Sequence, residues 1–169
     1  MNTVEIGKIQ RITSPNPFAL LSACREDGST NLMAVSWWTY VSNHPPAVAV
    51  CLSNKGLSGS LIEKNGEFGL CTVTEELKEA AFACGTCSGR LKDKAEEFQI
   101  KLMPSQEIWP QLVKLHKVAL ECRLCEKLAL SDHTIYVGEI VAAHVNSDGN
   151  QLYAYDGYAR LDTVNNERK

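Results

Sequence analysis

The sequence predicts a mainly β protein with added helices, and an antiparallel β-barrel fits it best. Three observations support this fold class. Apolar residues recur mostly with the two-residue period of strands, few segments have helical character, and strands and helices do not alternate as in parallel α/β folds. No internal repeat, low-complexity run or linker divides residues 1–169, so we expect a single domain.

Turn-forming residues bound the predicted strands of the N-terminal half. An apolar run ends at the turn signal Arg25-Glu-Asp-Gly28 and a second run begins at Thr30, which indicates a hairpin. His44-Pro45-Pro46 is the next break, and the apolar, valine-containing run after it predicts a buried strand. The strands predicted in this half cover residues 18–24, 30–41, 47–53 and 68–73.

Helices are predicted in two places, and three strands follow them. Small residues at the start and Gly66 at the end predict a short helix within 56–66. Residues 74–98 are predicted to be largely helical with an interruption at 85–89, whereas Pro104 and Pro110 leave 100–114 unassigned. The further strands cover 118–125, 134–145 and 151–163, and in the first of these Glu121 lies opposite the apolar face.

Composition excludes several classes of partner. A formal net charge of −3 gives no basis for general binding to nucleic acid or to anionic membranes. No apolar stretch approaches the ~20 residues that a membrane-spanning helix needs. The segment Met1 to Glu5 lacks the basic start and apolar run of a secretory signal, so we expect a cytoplasmic protein.

The seven cysteines include two C-x-x-C pairs, Cys84/Cys87 and Cys122/Cys125. Such pairs are typical of zinc or iron–sulfur sites, and one pair alone is also typical of a redox disulfide. However, Cys122 and Cys125 fall on a predicted strand, where residues three apart point to opposite faces. The scattered histidines offer no ligand spacing either, so buried or incidental thiols are favoured and no metal is expected.

Two segments could contact a ligand, and neither decides its function alone. Trp37 and Trp38 are adjacent on a predicted strand, so at most one lies in the core; the other could border a planar ring or a dimer interface. Lys55-Gly-Leu-Ser-Gly-Ser60 precedes a helix and suits either a phosphate or a plain capped turn. A basic segment, Ser88 to Lys94, is typical of a solvated helix start.

Taken together, these segments occur in an order that resembles the flavin reductase-like, FMN-binding split-barrel family, especially its flavoredoxin-like branch. The likeness spans roughly residues 14–162. Its motifs are Pro17-Phe-Ala-Leu-Leu-Ser22, Asn31-x-x-x-x-Ser36-Trp37, Asn43-His-Pro-Pro46, Lys55 with Ser58, Cys84-Gly85-x-x-Ser88-Gly89-Arg90-x-x-Asp93-Lys94, Ala119-Leu-Glu-Cys122 and Asp132-His133-Thr134-x-x-x-Gly138-Glu139. The chain departs from the family pattern at Cys87 and Cys125, where apolar residues are usual, and at Ser60.

The resemblance implies a six-stranded, Greek-key-like antiparallel split barrel that forms a homodimer and binds FMN near the dimer interface. It places one group of residues along the isoalloxazine and ribityl chain, a second at the phosphate, and a third where positive charge or an imidazole meets the flavin. These groups are Asn31, Ser36 and Trp37; Lys55, Ser58 and Ser60; and Arg90, Lys94 and His133, the last also being the candidate catalytic residue.

Three functions follow as alternatives. The first is an NAD(P)H-dependent flavin reductase that passes electrons through FMN to free flavin, a metal ion or a partner protein. The second is a flavoredoxin-type electron carrier with tightly bound FMN and no nicotinamide turnover. The third is a flavin-binding or purely structural dimer without a redox role.

Overall fold

The computed structural model describes residues 3–146 and 148–164 and contains short helices around a large antiparallel sheet. Met1, Asn2, Ser147 and residues 165–169 lie outside the described residues, and with them both ends of the expected single domain. The helices are α1 Ile9–Ile12, α2 Leu57–Asn65, α3 Lys78–Thr86 and α4 Lys94–Glu97. The strands are β1 Asn16–Pro17, β2 Ala19–Cys24, β3 Thr30–Val35, β4 Trp38–Asn43, β5 Pro46–Ser53, β6 Glu67–Val73, β7 Leu102–Met103, β8 Leu112–Val113, β9 His116–Ala129, β10 His133–Val145, β11 Leu152–Tyr155 and β12 Arg160–Thr163.

The main sheet closes on itself as a split barrel. Its seven strands pair in the order β3-β2-β6-β9-β10-β5-β4, and every pair is antiparallel. Strands β3 and β4 stand at opposite ends of this order, yet Val35 and Trp38 are three residues apart and at most ~11 Å from each other. The chain therefore joins the two edge strands at this point without pairing them, and counting β3 and β4 as one bent strand gives the six strands expected.

Alternate residues of the central strands fill two separate cores. On β2, Leu21 packs into the barrel interior, whereas Leu20 packs into a second core outside the barrel. Phe68 and Leu70 of β6 fill the interior, and α2 adds Ile62 to it. The outer core lies against α3, the β7–β8 hairpin and the β11–β12 hairpin. Both faces of β2 are buried because both are covered, which is why every residue of this strand except Ser22 is apolar.

Most predicted elements are confirmed, and the corrections have physical causes. The single strand predicted at 30–41 is wrong, because the chain leaves one sheet edge and joins the other at Ser36-Trp37. The single strand predicted at 151–163 is also wrong. It is the β11–β12 hairpin, which turns at Asp156 and Gly157 with φ of 53° and 79°. Residues 100–114, left unassigned, contain the β7–β8 hairpin.

The helical prediction for 74–98 was too long. A 3-10 turn over Glu75–Leu77 leads into α3, and residues 87–93 are irregular before α4. The interruption is therefore wider than the predicted 85–89. No helix in residues 3–146 and 148–164 is long and apolar enough to cross a membrane.

Candidate functional site

A cavity of about 370 Å³ lies between the start of α2 and the end of α3, and we call it the α2–α3 cavity. Strand β3 forms its floor, and the loop from α3 to α4 forms one wall. The polar, basic and thiol side chains among its lining residues belong to Asn31, Lys55, Ser58, Cys84, Thr86, Cys87, Ser88 and Lys94. Four of these are site residues that the resemblance named: Asn31, Lys55, Ser58 and Lys94.

Lys94 places a buried cation at the cavity. Asp93 caps α4 by accepting hydrogen bonds from the backbone N–H groups of Ala95 and Glu96, which fixes Lys94 as the first residue of that helix. Its side chain is buried, and its ammonium donates to the carbonyl oxygen of Cys84 at 2.6 Å. Burial lowers the pKa of Lys94 below its ordinary value. Lys94 forms no ion pair with any residue in the described part of the chain, so an anionic ligand would offset the cost of its burial.

The start of α2 is a second electropositive feature of the cavity. Gly56 precedes the helix in an extended conformation and no side chain caps it, so the N–H groups of the first turn have no side-chain acceptor. These N–H groups and the helix dipole attract negative charge, and Lys55 adds to that field. Lys55 is exposed, whereas Lys94 is buried, so the two lysines border the cavity at different depths.

Asn31 connects the parts of the site. Its side-chain amide donates to the hydroxyl of Ser58 at 2.9 Å, and its Oδ1 accepts from Arg25 at 3.2 Å. The Arg25 guanidinium also donates to the carbonyl oxygen of Gly89 at 2.7 Å. A Cβ at Gly89 would lie 1.9 Å from Asn31 Oδ1, so this close approach requires glycine. Asn31 and Arg25 therefore hold the start of α2 and the α3–α4 loop in fixed relation.

Arg25 is a site residue that the sequence analysis missed. It lay within a predicted turn, and its bond to Gly89 joins residues 64 positions apart. No periodicity or spacing in the sequence signals such a contact. Only the basic side chain directly after a predicted strand hinted at a role.

Ser60 and Arg90 do not line the α2–α3 cavity. Both border two neighbouring clefts of about 440 and 280 Å³ on the other side of α2. The Ser60 hydroxyl donates to the carbonyl oxygen of Leu57 at 2.8 Å. Arg90 is exposed, and its guanidinium forms no ion pair with a described residue. A ligand would need to extend past the start of α2 to reach either side chain.

Trp37 and His133 form an adjoining surface. Their rings lie against each other with centroids 5.1 Å apart and planes tilted by 32°, and Trp37 is 45% exposed. Trp38 packs against the barrel interior, which confirms that only one of the two tryptophans belongs to the core. His133 pairs with Ser53, two residues before Lys55, so this surface adjoins the Lys55 side of the cavity. Ser36 lies beside Trp37 at the chain crossover and does not line the cavity either.

The second C-x-x-C pair is split between two environments. Cys122 is buried in the barrel interior and Cys125 is exposed, as expected for residues three apart on a strand. Among residues 3–146 and 148–164, no group of three or more His, Cys, Asp or Glu side chains is arranged to hold a metal ion.

The family follows from comparison with known proteins. Residues 11–162 match the model of the flavin reductase like domain. The chain belongs to this family. An uncharacterized protein of Archaeoglobus fulgidus is 32% identical over 111 residues, which cover 66% of this chain and 63% of that protein. The chain thus spans slightly less than two thirds of that relative.

Solved structures of flavin reductase-like proteins share the fold. A flavoredoxin from Methanosarcina acetivorans is 25% identical, with a TM-score of 0.79, over 97% of this chain and 89% of that one. The NADH:FAD oxidoreductase of Streptomyces globisporus C-1027, solved with NAD and FAD fragments, has a TM-score of 0.86 at 17% identity and covers 100% of both chains. At that identity the second likeness shows the fold alone.

The size of the α2–α3 cavity and the positive groups around it suit a flavin nucleotide, as expected for a flavin reductase-like protein. Its volume of about 370 Å³ lies within the ~300–1,000 Å³ of small-molecule sites. Lys94, Lys55 and the start of α2 supply the positive groups that a phosphate or an electron-rich ring edge needs. These residues would hold the cofactor, and Asn31 lies between them.

Proposed function

We propose that this protein binds FMN non-covalently in the α2–α3 cavity and passes electrons from NAD(P)H through it to an acceptor, as a cytoplasmic flavin reductase. The observation behind the proposal is the buried ammonium of Lys94, which forms no ion pair with a described residue and lies at the same cavity as the uncapped start of α2. Such a pair of positive features favours an anionic ligand. The flavin, when bound, supplies the electron and hydride chemistry.

The two positive features would bind different parts of FMN. The first turn of α2, with Lys55 and Ser58, suits the phosphate. Lys94 would then lie by the pyrimidine edge of the ring, where positive charge favours the reduced, anionic flavin. Asn31 already bonds to Ser58, so it would lie along the ribityl chain between the two ends.

The flavin ring would extend toward the Trp37–His133 surface. Trp37 offers an exposed aromatic face, and Ser36 precedes it at the chain crossover. His133 is the proposed catalytic residue because its imidazole would approach the ring there. Asp132 holds that imidazole, with Oδ1 3.0 Å from Nδ1. Arg90 and Ser60 would act from the phosphate side, beyond α2.

FMN is proposed over FAD because the cavity contains one anion-binding end, formed by α2 and Lys55. A second phosphate would have to lie in the clefts bordered by Arg90, outside this cavity. Titrating the apoprotein with FMN and with FAD decides between them. Tighter binding of FAD, together with its loss on Arg90→Ala substitution, would contradict the FMN proposal.

A homodimer is proposed from the exposed apolar side chains of β4 and the residue before it. Trp37, Tyr40 and Val41 are 45%, 58% and 48% exposed, and all three lie on β4 or directly before it. Aromatic residues in such an apolar group are typical of interfaces. A second copy covering β4 would also place its surface beside Trp37 and His133.

The decisive experiment is anaerobic reduction of the purified protein. We expect a yellow protein whose flavin absorbance bleaches rapidly when NADH or NADPH is added. Bleaching by dithionite but by neither nicotinamide would refute the reductase proposal. A colourless protein that takes up no added FMN would refute flavin binding itself.

The second candidate is a flavoredoxin-type electron carrier with tightly bound FMN. The likeness to the flavoredoxin of Methanosarcina acetivorans favours it. A carrier would keep its FMN through gel filtration and accept electrons from a partner protein or dithionite but not from NAD(P)H. A reductase that uses FMN as a substrate would lose the flavin in the same experiment.

A further inference from the structure

We propose that Cys84 and Cys87 form a redox-active dithiol–disulfide pair at the wall of the α2–α3 cavity, which accepts two electrons from the reduced flavin. The inference rests on the proposed function for the presence of flavin, and on the geometry of this chain for the thiol pair. Both cysteines line the cavity, and both are free thiols in the structure. Family likeness does not supply the pair, because Cys87 replaces a residue that is usually apolar.

The backbone brings the two cysteines within disulfide range. Cys84 lies in the last turn of α3, and Cys87 directly follows the helix as its C-cap. Residues three apart on a helix have Cα atoms ~5 Å apart, within the ~4.4–6.8 Å that disulfides span. The Cys87 thiol is also turned back toward the helix, with Sγ 3.9 Å from the carbonyl oxygen of Ala83, the residue before Cys84.

The two thiols differ in accessibility, as the attacking and the resolving thiol of a redox pair do. Cys87 is half-buried at the cavity wall and can be reached from it, whereas Cys84 is fully buried among the outer core residues. Burial raises the pKa of Cys84 to about 12, so Cys84 stays protonated in the reduced pair. The ammonium of Lys94 bonds to the Cys84 carbonyl oxygen and places positive charge beside both thiols.

Cys122 and Cys125 serve as an internal comparison for the Cys84/Cys87 pair. These have the same C-x-x-C spacing, but they lie on β9, where residues three apart are ~10 Å apart and point to opposite faces. They cannot form a disulfide without rebuilding the strand. The remaining described cysteines, Cys24, Cys51 and Cys71, do not line the α2–α3 cavity.

The proposed step balances in electrons and protons. The Sγ–Sγ bond between Cys84 and Cys87 breaks, and two S–H bonds form. The two electrons and one proton come from the reduced, anionic flavin, which returns to its oxidised form, and the second proton comes from solvent. No other reductant is needed once the flavin has been reduced by NAD(P)H or by a partner protein.

The test follows the oxidation state of one tryptic peptide. Cleavage after Lys78 and Arg90 releases residues 79–90, which contain Cys84 and Cys87 and no other cysteine. The protein is equilibrated with mixtures of reduced and oxidised glutathione, trapped with N-ethylmaleimide and digested. We expect oxidising mixtures to abolish both labels and leave a peptide lighter by two hydrogen atoms. Cys125→Ser should behave as wild type, and Cys87→Ser should not form the species.

A second measurement follows electron transfer from the flavin. Oxidised protein, with and without FMN, is illuminated anaerobically with EDTA, which reduces flavin, and is then trapped and digested. We expect both labels to return only in the FMN-loaded protein. The pair is refuted if the disulfide never forms across the glutathione series, and the transfer step is refuted if label recovery is the same with and without FMN.

Failure of the proposed function gives a different result. A protein that does not quench FMN fluorescence on mixing binds no flavin, which overturns the proposed function and the electron transfer together. The glutathione series on the same sample needs no flavin, so it still confirms or refutes the disulfide pair by itself.

Discussion

Replacing Lys94 with methionine tests the proposed cofactor site most directly. Methionine keeps the length and the apolar stem of the side chain but removes the ammonium. Lys94 is 5% exposed, and its ammonium donates to the carbonyl oxygen of Cys84 at 2.6 Å. Burial lowers its pKa, which shows that the charge is costly where it lies. A bound anion would offset part of the free energy needed to bury this charge. The substitution should therefore reduce the affinity for FMN more than the free energy of unfolding.

The expected loss of affinity follows from the interaction removed. A hydrogen bond to a charged group contributes about 1.5–3 kcal/mol. Since about 1.4 kcal/mol changes Kd tenfold, we expect the Kd of K94M for FMN to rise by about 10- to 100-fold. The free energy of unfolding of the apoprotein should change by no more than about 1 kcal/mol, because removal of a buried charge offsets the lost bond to Cys84.

Two measurements on each variant check this prediction. Titration of the apoprotein, followed by quenching of flavin fluorescence, gives the Kd, and urea unfolding without FMN gives the stability. Lys101→Met is the matched control, because Lys101 is exposed and does not line the cavity. The assignment is refuted if K94M binds FMN as tightly as the wild type and K101M. It is also refuted if the affinity falls only in proportion to a large loss of stability.

Three other substitutions test separate parts of the structure. Gly89→Ala would place a Cβ 1.9 Å from Asn31 Oδ1 and should weaken FMN binding by displacing Asn31; unchanged affinity in the same titration would contradict the tight contact. Burial raises the pKa of Glu121, but hydrogen bonds from the backbone of Gln106 and Glu107 and from His144 outweigh it, so the net pKa is lowered from 4.5. The stability that Glu121 contributes is thus present above pH 4.5 and is lost as the pH falls through the lowered pKa. Glu121→Gln should lower the free energy of unfolding at neutral pH by about 1.5–3 kcal/mol and flatten its acid dependence; urea unfolding at neutral and acid pH checks both, and parallel pH profiles for the two proteins would contradict the reasoning. Tyr40→Glu, at a side chain 58% exposed on β4, should convert the proposed dimer to monomer in light scattering, and a dimer that persists would exclude β4 from the interface.

The sequence predicts a strand correctly where the local pattern of apolar residues reflects burial of that strand. The run at 18–24 is apolar at every position except Ser22, because both of its faces are buried, and β2 forms there. Residues 30–41 are also strand-like throughout, so nothing local marks the crossover at Ser36-Trp37. That break is set by closure of the barrel, which needs one chain to join both edges of the sheet. The hairpin at 152–163 could have been predicted from Asp156-Gly157, a dipeptide typical of hairpin turns, but the strand-forming tyrosines on both sides led to the prediction of one continuous strand.

Only those residues of the candidate site that belong to the ordered motifs could be predicted from the sequence. They named Asn31, Lys55, Ser58 and Lys94, which the structure brings to one cavity, but they did not show which polar groups were already engaged. The Asn31 amide and the Ser58 hydroxyl bond to each other, so they shape the site as well as face it. Arg25 and Glu121 were missed because their partners come from distant loops. Glu121 seemed to belong on a polar face, yet it is fully buried beneath residues 106 and 107.

The two C-x-x-C motifs show why spacing alone is a weak predictor of chemistry. At Cys122 and Cys125 the strand separates the thiols to opposite faces, one inside the barrel and one in solvent. At Cys84 and Cys87 the end of a helix keeps them together, and it does so at a cavity that also contains a buried ammonium. Incidental thiols were favoured at both sites from the sequence, because the strand at Cys122 and Cys125 can be predicted from local residues and the cavity at Cys84 and Cys87 cannot. The backbone that presents each motif, rather than the motif itself, therefore determines which pair can exchange electrons.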